Sequence, residues 1–149
     1  MKILIQRVQH GRVTVEGRET GCIGAGFVVL VGVRHGDGEQ DAKKLALKTA
    51  NLRVFPDSAG NMNVSLQDAG GSVLAVSQFT LYADTRKGNR PGFAQAAPPE
   101  LANTLYETYV SELRTILGDD RVATGIFQAM MQVELVNDGP VTIEITTDR

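Results

Sequence analysis

The sequence predicts a single α/β domain over residues 1–149, mostly strands with two main helices. Three patterns carry that expectation. Phe27-Val28-Val29-Leu30-Val31-Gly32-Val33 is a continuous apolar run without polar alternation, as in a central strand covered on both faces. One stretch after Asp37 and another after Pro98-Pro99 repeat apolar residues at helical spacing. Late in the chain, Val133, Leu135, Val141, Ile143 and Ile145 alternate with Gln132, Glu134, Thr142, Glu144 and Thr146, the period of half-buried strands. A chain of 149 residues buries roughly two-thirds of its unfolded surface, so it needs neither metal nor disulfide to fold.

Residues 2–8 and 12–16 read as two strands joined tightly at His10-Gly11. The central strand follows Gly17 and the Gly21-Cys22-Ile23-Gly24 segment. Asp37, with Gln40 three residues on, is placed to cap a helix over residues 39–51. Ala42, Leu45, Ala46, Thr49 and Leu52 fall on its apolar stripe, and Lys43, Lys44 and Lys48 on its solvated face. Residues 53–55 form a short strand, 56–63 a loop and Gly70-Gly71 a turn. Residues 72–81 have strand composition, with Ser77, Gln78 and Thr80 unexpectedly polar at the end of a central strand.

Residues 84–93 make a Gly/Pro loop carrying Arg86, Lys87, Arg90 and Phe93. Pro98-Pro99-Glu100 opens a long helix with Leu101, Leu105, Tyr109, Leu113, Ile116 and Leu117 as its stripe, ended by Gly118; Tyr106 and Tyr109 read as packing residues. Residues 122–125 lead through Ile126-Phe127-Gln128-Ala129-Met130-Met131 into a final hairpin with Gly139-Pro140 at its connection. Pro140 has no amide hydrogen and Gly139 reaches backbone angles closed to other residues, so this segment can expose carbonyls that no sheet partner claims. No internal repeat or linker suggests a second domain.

The single Cys22 excludes an internal disulfide and reads as a small buried thiol in a reducing compartment. Residues 1–5 are too short an apolar run for a signal peptide and no stretch approaches a membrane span, so a cytoplasmic protein without membrane contact is expected. A net charge of −2 argues against broad electrostatic binding of nucleic acid; any contact with RNA must be local. His10 and His35 fall in a turn and a linker, which disfavours a histidine-based triad, and one Cys with two scattered His gives no zinc ligand set. Gly21-x-x-Gly24-x-Gly26 joins strand to strand and is a weak phosphate-loop signal. What remains is Ser77-Gln78-x-Thr80, the loop cations and Gly139-Pro140. Taken singly, these also describe a strand end, a solvated loop and a turn.

Together, in this order and at these distances, the segments resemble the D-aminoacyl-tRNA deacylase family over essentially the whole chain. The likeness runs through Gln6-Arg7-Val8, Gly60-Asn61-Met62-Asn63, Ser77-Gln78-Phe79-Thr80-Leu81, Arg90-Pro91-x-Phe93, Gly125-x-Phe127 and Asn137-Asp138-Gly139-Pro140-Val141-Thr142. It implies a three-layer α/β/β fold and a homodimer with active sites at the interface. It also implies hydrolysis of the ester joining a D-amino acid, or glycine misattached to alanine tRNA, to the tRNA 3′ end. No metal or cofactor is implied.

By the same likeness, Ser77, Gln78, Phe79 and Thr80 form the catalytic segment, with amides near Phe79 and Thr80 as oxyanion donors. The substrate's own ribose hydroxyl assists the attack; Thr80 as a nucleophile is the alternative, with no evident base to activate it. Gly139 and Pro140, joined by a cis bond and inserted into the partner's site, would reject L side chains by backbone contact, with Arg7 and Asn137 as support. Arg86, Lys87, Arg90 and Phe93 would meet the tRNA acceptor end. The sequence departs from the family pattern at His10-Gly11-Arg12, at Gly92 and in the polar tail of residues 146–149. Two other readings stay open: a related editing module with a trans Gly-Pro bond and L or relaxed specificity, and a dimeric tRNA-end binder without turnover.

Overall fold

The computed structural model describes residues 1–147; Asp148 and Arg149, the end of the polar tail, lie outside the described residues. Strand β1 (Lys2–Val15) is the spine, pairing antiparallel with β3 (Gly26–Gly32) along its first half and with β2 (Arg18–Ile23) along its second. Two helical crossovers extend the sheet with parallel strands: α1 (Glu39–Asn51) leads from β3 towards β6 (Ser72–Ser77), and α3 (Pro99–Leu117) from β6 to β7 (Val122–Thr124). Between α1 and β6 lie the small ribbon of β4 (Phe55–Pro56) and β5 (Met62–Val64) and the single turn α2 (Leu66–Ala69). The sheet order is β2-β1-β3-β6-β7, and β8 (Gln132–Thr146) pairs with β1 along its remaining edge.

The core has two compartments. Both long helices cover one face of the sheet, where Ile3, Ile5, Phe27, Val29, Leu45, Tyr109 and Leu113 pack. On the opposite face Val8, Val13, Val28, Leu74 and Val76 gather with Leu135 and Met131, under the curled second half of the β1-β2-β8 strands. Helices, sheet and folded-over strands make the three-layer α/β/β architecture.

Several expectations are corrected. Residues 2–8 and 12–16 are one strand, not a hairpin, although His10-Gly11 does mark an irregularity. Ile3 and Ile5 face the helices whereas Val8 and Val13 face the other compartment, and the β1-β8 register shifts between Val8 and Gly11. A Cβ on Gly11 would lie 2.6 Å from Val28 Cγ2, so glycine serves close packing of a bent strand rather than a turn. The real turn is Glu16-Gly17, both with positive φ (52° and 76°) between the paired Val15 and Arg18, the two-residue geometry matched to strand twist.

The terminal hairpin is likewise one strand, β8, running antiparallel to β1 on both sides of Gly139-Pro140. Gly38, not Asp37, caps α1, its amide donating to Asp41 Oδ2 (2.9 Å), while Asp37 accepts from the Met1 amine (2.6 Å) and the Arg34 amide (2.7 Å). Arg53 and Val54 precede the short strand, which is Phe55–Pro56, and the loop expected over 56–63 includes Pro56 of that strand and Met62 and Asn63 of β5. Strand β6 stops at Ser77 and passes into a 3-10 turn, Phe79–Tyr82. Cys22 is exposed on β2, and His10 is an exposed strand residue.

Candidate functional site

The end of β6 explains the polar residues of the 77–80 segment. The Gln78 amide still donates to the Val31 carbonyl (2.8 Å), but the chain then tightens into the 3-10 turn. As its first residues, Phe79 and Thr80 point amides that have no acceptor inside the turn. The Gln78 carboxamide donates to Thr80 Oγ1. The side chain against the Thr80 hydroxyl is therefore an amide, which cannot take up its proton.

Ser77, Gln78 and Phe79 form one wall of a groove of about 640 Å³. The start of α3 and the 127–133 segment supply the rest, and Phe93 comes from the cationic loop. Phe79 and Phe93 meet edge to face, ring centroids 4.9 Å apart, so the loop is attached to the turn through an aromatic pair. The volume falls within the range of small-molecule sites, and the lining is apolar with few polar groups, as such sites are. Tyr106 lies at its base, its hydroxyl donating to the Ala75 carbonyl (2.8 Å); burial pushes the Tyr106 hydroxyl well above the ordinary tyrosine range. His10 and His35 do not line the groove.

Gln128, Ala129, Met130 and Met131, to which no motif points, form much of the groove's far wall. The amide of Ala129 donates to the Ile126 carbonyl (3.2 Å), and within that turn Gln128 has φ 65°, the left-handed region. Met130 is 91% exposed. The only signal in the sequence was a cluster of large apolar residues with neither a helical nor a strand period.

Gly139-Pro140 stands apart. Gln6 pairs with Thr142 and Val8 with Asn137, so residues 138–141 loop out opposite the single residue Arg7. Proline has no amide for the ladder, and here the ladder is interrupted. Asn137 closes the base of the bulge: its Oδ1 accepts from the Val141 amide (2.8 Å) and its Nδ2 donates to Thr142 Oγ1 (3.0 Å). Arg7 Nε donates to the Asp138 carbonyl (2.8 Å) and Nη1 to the Val54 carbonyl, tying the bulge to the segment before β4. The Gly139-Pro140 bond is cis, both residues are exposed, and neither lines the groove of its own chain.

The cations of the loop are not equivalent. Arg86 forms a two-point ion pair with Asp84 (Nη2–Oδ2 2.7 Å, Nε–Oδ1 2.9 Å), and those bonds hold the Asp84 carboxyl down at about 2. Among the described residues no ion pair is found for Lys87 or Arg90, both exposed.

Residues 4–146 match the family described as D-Tyr-tRNA(Tyr) deacylase. A D-aminoacyl-tRNA deacylase of Heliobacterium modesticaldum is 60% identical over 145 residues, covering 97% of this chain and 95% of the relative. One from Anaeromyxobacter dehalogenans is 56% identical over 149 residues, 100% of this chain and 99% of the relative. Among solved structures, a c-Myc DNA unwinding element binding protein superposes with a TM-score of 0.95 at 39% identity, covering both chains fully. A probable eukaryotic D-amino acid tRNA deacylase superposes at 0.85 with 16% identity over 97% of each chain, a likeness of fold.

Proposed function

The chain belongs to the D-Tyr-tRNA(Tyr) deacylase family, and from that membership we propose how it acts as a D-aminoacyl-tRNA deacylase. The ester enters the groove beside Ser77, Gln78 and Phe79. Water adds to the ester carbonyl, giving a tetrahedral oxyanion. Amides of the turn at Phe79 and Thr80 receive that charge, and one oriented donor of this kind contributes roughly 3–4 kcal/mol. Collapse breaks the carbon–oxygen bond to the ribose, and the proton lost by water ends on the departing ribose oxygen. The neighbouring ribose hydroxyl of the substrate assists this transfer; Thr80, bonded to a carboxamide, has no base to make it a nucleophile.

One observation carries the reading: the groove has its turn, its apolar walls and its aromatic link to the cationic loop, yet Gly139 and Pro140 of the same chain are outside it. A second copy supplies them. Strand β8 has β1 as its only strand partner among the described residues, and Val133 and Val136 are exposed on it, which leaves surface for a homodimer. In that dimer the partner's bulge, held by Arg7 and Asn137, faces the α-amino group and leaves room for a D side chain or for glycine, including glycine misattached to alanine tRNA. Lys87 and Arg90, with Arg86 and Phe93, meet the phosphates and the terminal nucleoside of the acceptor end.

The test is the rate of deacylation of D-tyrosyl-tRNA against L-tyrosyl-tRNA, with a chelator present and Thr80→Ala in parallel. A D over L ratio of about a thousand, or roughly 4 kcal/mol, retained by Thr80→Ala, supports the proposal. Equal hydrolysis of both esters overturns the chirality gate, and binding without turnover would make the protein a tRNA-end binder.

A further inference from the structure

We propose that Gln128 is a specificity-determining residue of the groove, its carboxamide reading the base edge of the terminal nucleoside that carries the ester. This rests on the reading given above.

The polar side chains that line the groove are Ser77, Gln78, Tyr106 and Gln128. Two are committed: Gln78 to Thr80 Oγ1 and Tyr106 to the Ala75 carbonyl. Ser77 belongs to the catalytic wall. Gln128 stands on the opposite wall, between Phe127 and Ala129, where every other lining side chain from residue 127 to 133 is apolar. It is thus the one hydrogen-bonding side chain offered from that side. In an apolar site such isolated polar groups set orientation and selectivity.

The backbone gives an independent observation. Gln128 has φ 65°, in a turn position suited to glycine, and only Glu16 shares a positive φ among the non-glycine residues described. Glu16 sits in an exposed hairpin turn, away from any site. A side chain kept where glycine would be easier, at the rim of a groove, marks a position whose side chain is used.

The carboxamide selects the ligand chemistry. It presents a donor beside an acceptor in one plane, which matches the N7 acceptor and N6 donor of adenine in a two-point contact. The Phe79-Phe93 pair at the groove supplies an aromatic surface for the same ring. Aminoacyl-tRNA ends in an adenosine, so the base needed is the one attached to the ester.

The experiment compares kcat/KM on D-aminoacyl minihelices ending in adenosine and in inosine, which replaces the N6 donor by a carbonyl. It uses the wild-type protein, Gln128→Gly and Gln128→Ala. Wild type should lose about tenfold or more on inosine, the size of one good base-edge contact. Both variants should fall to that lower rate on adenosine and show an adenosine-to-inosine ratio near one. Gln128→Gly suits the left-handed position, so its fold is kept, and agreement of the two variants separates the amide from the backbone. A wild-type ratio of one, or variants that keep the wild-type ratio while turning over the ester, overturns the inference and leaves the deacylase reading intact. Absence of turnover by wild type on either minihelix instead brings down the deacylase reading itself.

Discussion

Replacing Asn137 by alanine should open the bulge that carries Gly139 and Pro140. The side chain makes two short bonds across its base, at 2.8 Å from the Val141 amide and 3.0 Å to Thr142 Oγ1; a third contact, to the Val141 carbonyl, is long at 3.4 Å. At about 0.5–1.5 kcal/mol net for each short bond, their loss costs about 1–3 kcal/mol. Because the bulge interrupts the ladder, this cost falls on local opening. The Val141 amide, whose acceptor is the Asn137 side chain, should exchange with solvent about 5- to 150-fold faster, since each 1.4 kcal/mol is tenfold. Asn137→Asp keeps acceptors for both the amide and the Thr142 hydroxyl and should lose less. The paired assay is the D over L deacylation ratio, which should fall in Asn137→Ala if the bulge's shape is the gate. Faster exchange with an unchanged ratio would refute that link, and unchanged exchange would refute the role of Asn137 itself.

Further expectations concern the core and the loop. The buried Tyr109 hydroxyl shares a 2.8 Å bond with Thr49 Oγ1, which also donates to the Leu45 carbonyl, so Tyr109→Phe should cost about 1 kcal/mol. Thr49→Val leaves the Tyr109 hydroxyl buried without a partner and should cost up to about 3 kcal/mol, as denaturant titration will measure. Gly11→Ala places a methyl 2.6 Å from buried Val28 Cγ2 and should destabilise by about 1–3 kcal/mol, less than additively with Val28→Ala in a double-mutant cycle. The Asp84 carboxyl is depressed on folding to about 2, so what its pair with Arg86 contributes is present above the ordinary aspartate pKa and lost as pH falls through about 2. Its NMR titration should show that midpoint. At neutral pH, Lys87→Ala/Arg90→Ala should flatten the salt dependence of tRNA binding more than Arg86→Ala does, and Asp84→Asn, by releasing Arg86, should steepen it.

The two long helices are legible in the sequence because their apolar stripes repeat over several turns, and α3 also carries Pro99 at its start and Gly118 at its end; the central strand is legible as an unbroken apolar run. It misplaced features that depend on what lies across a sheet. Gly11 resembled a turn because glycine marks both turns and close approaches, and only Val28 on the neighbouring strand distinguishes them. Gly139-Pro140 resembled a hairpin connection because alternation looks the same whether two strands face each other or both run along a third. The common partner β1 decides that, more than a hundred residues away. The 77–81 segment continues the composition of its strand, and its polar residues alone do not reveal the 3-10 turn that uses them. Residues 127–131 have no period to read, so nothing in the sequence marks them, Gln128 included, as the far wall of the groove.

The spine arrangement bears on how the chain reaches its fold. Thr14 and Gln132 face each other across β1 and β8 although 118 residues separate them, and β8 pairs along both halves of β1. Such long-range pairing incurs its loop-closure entropy before the contacts that offset it, and domains dominated by it fold in milliseconds to seconds rather than microseconds. During synthesis one edge of β1 waits unpaired until β8 emerges from the ribosome, and Leu135 and Met131, which complete the second core compartment, arrive with or just before it. A nascent chain in that interval exposes both an open strand edge and apolar surface. Chaperone capture should therefore peak before β8 is available and fall once it docks.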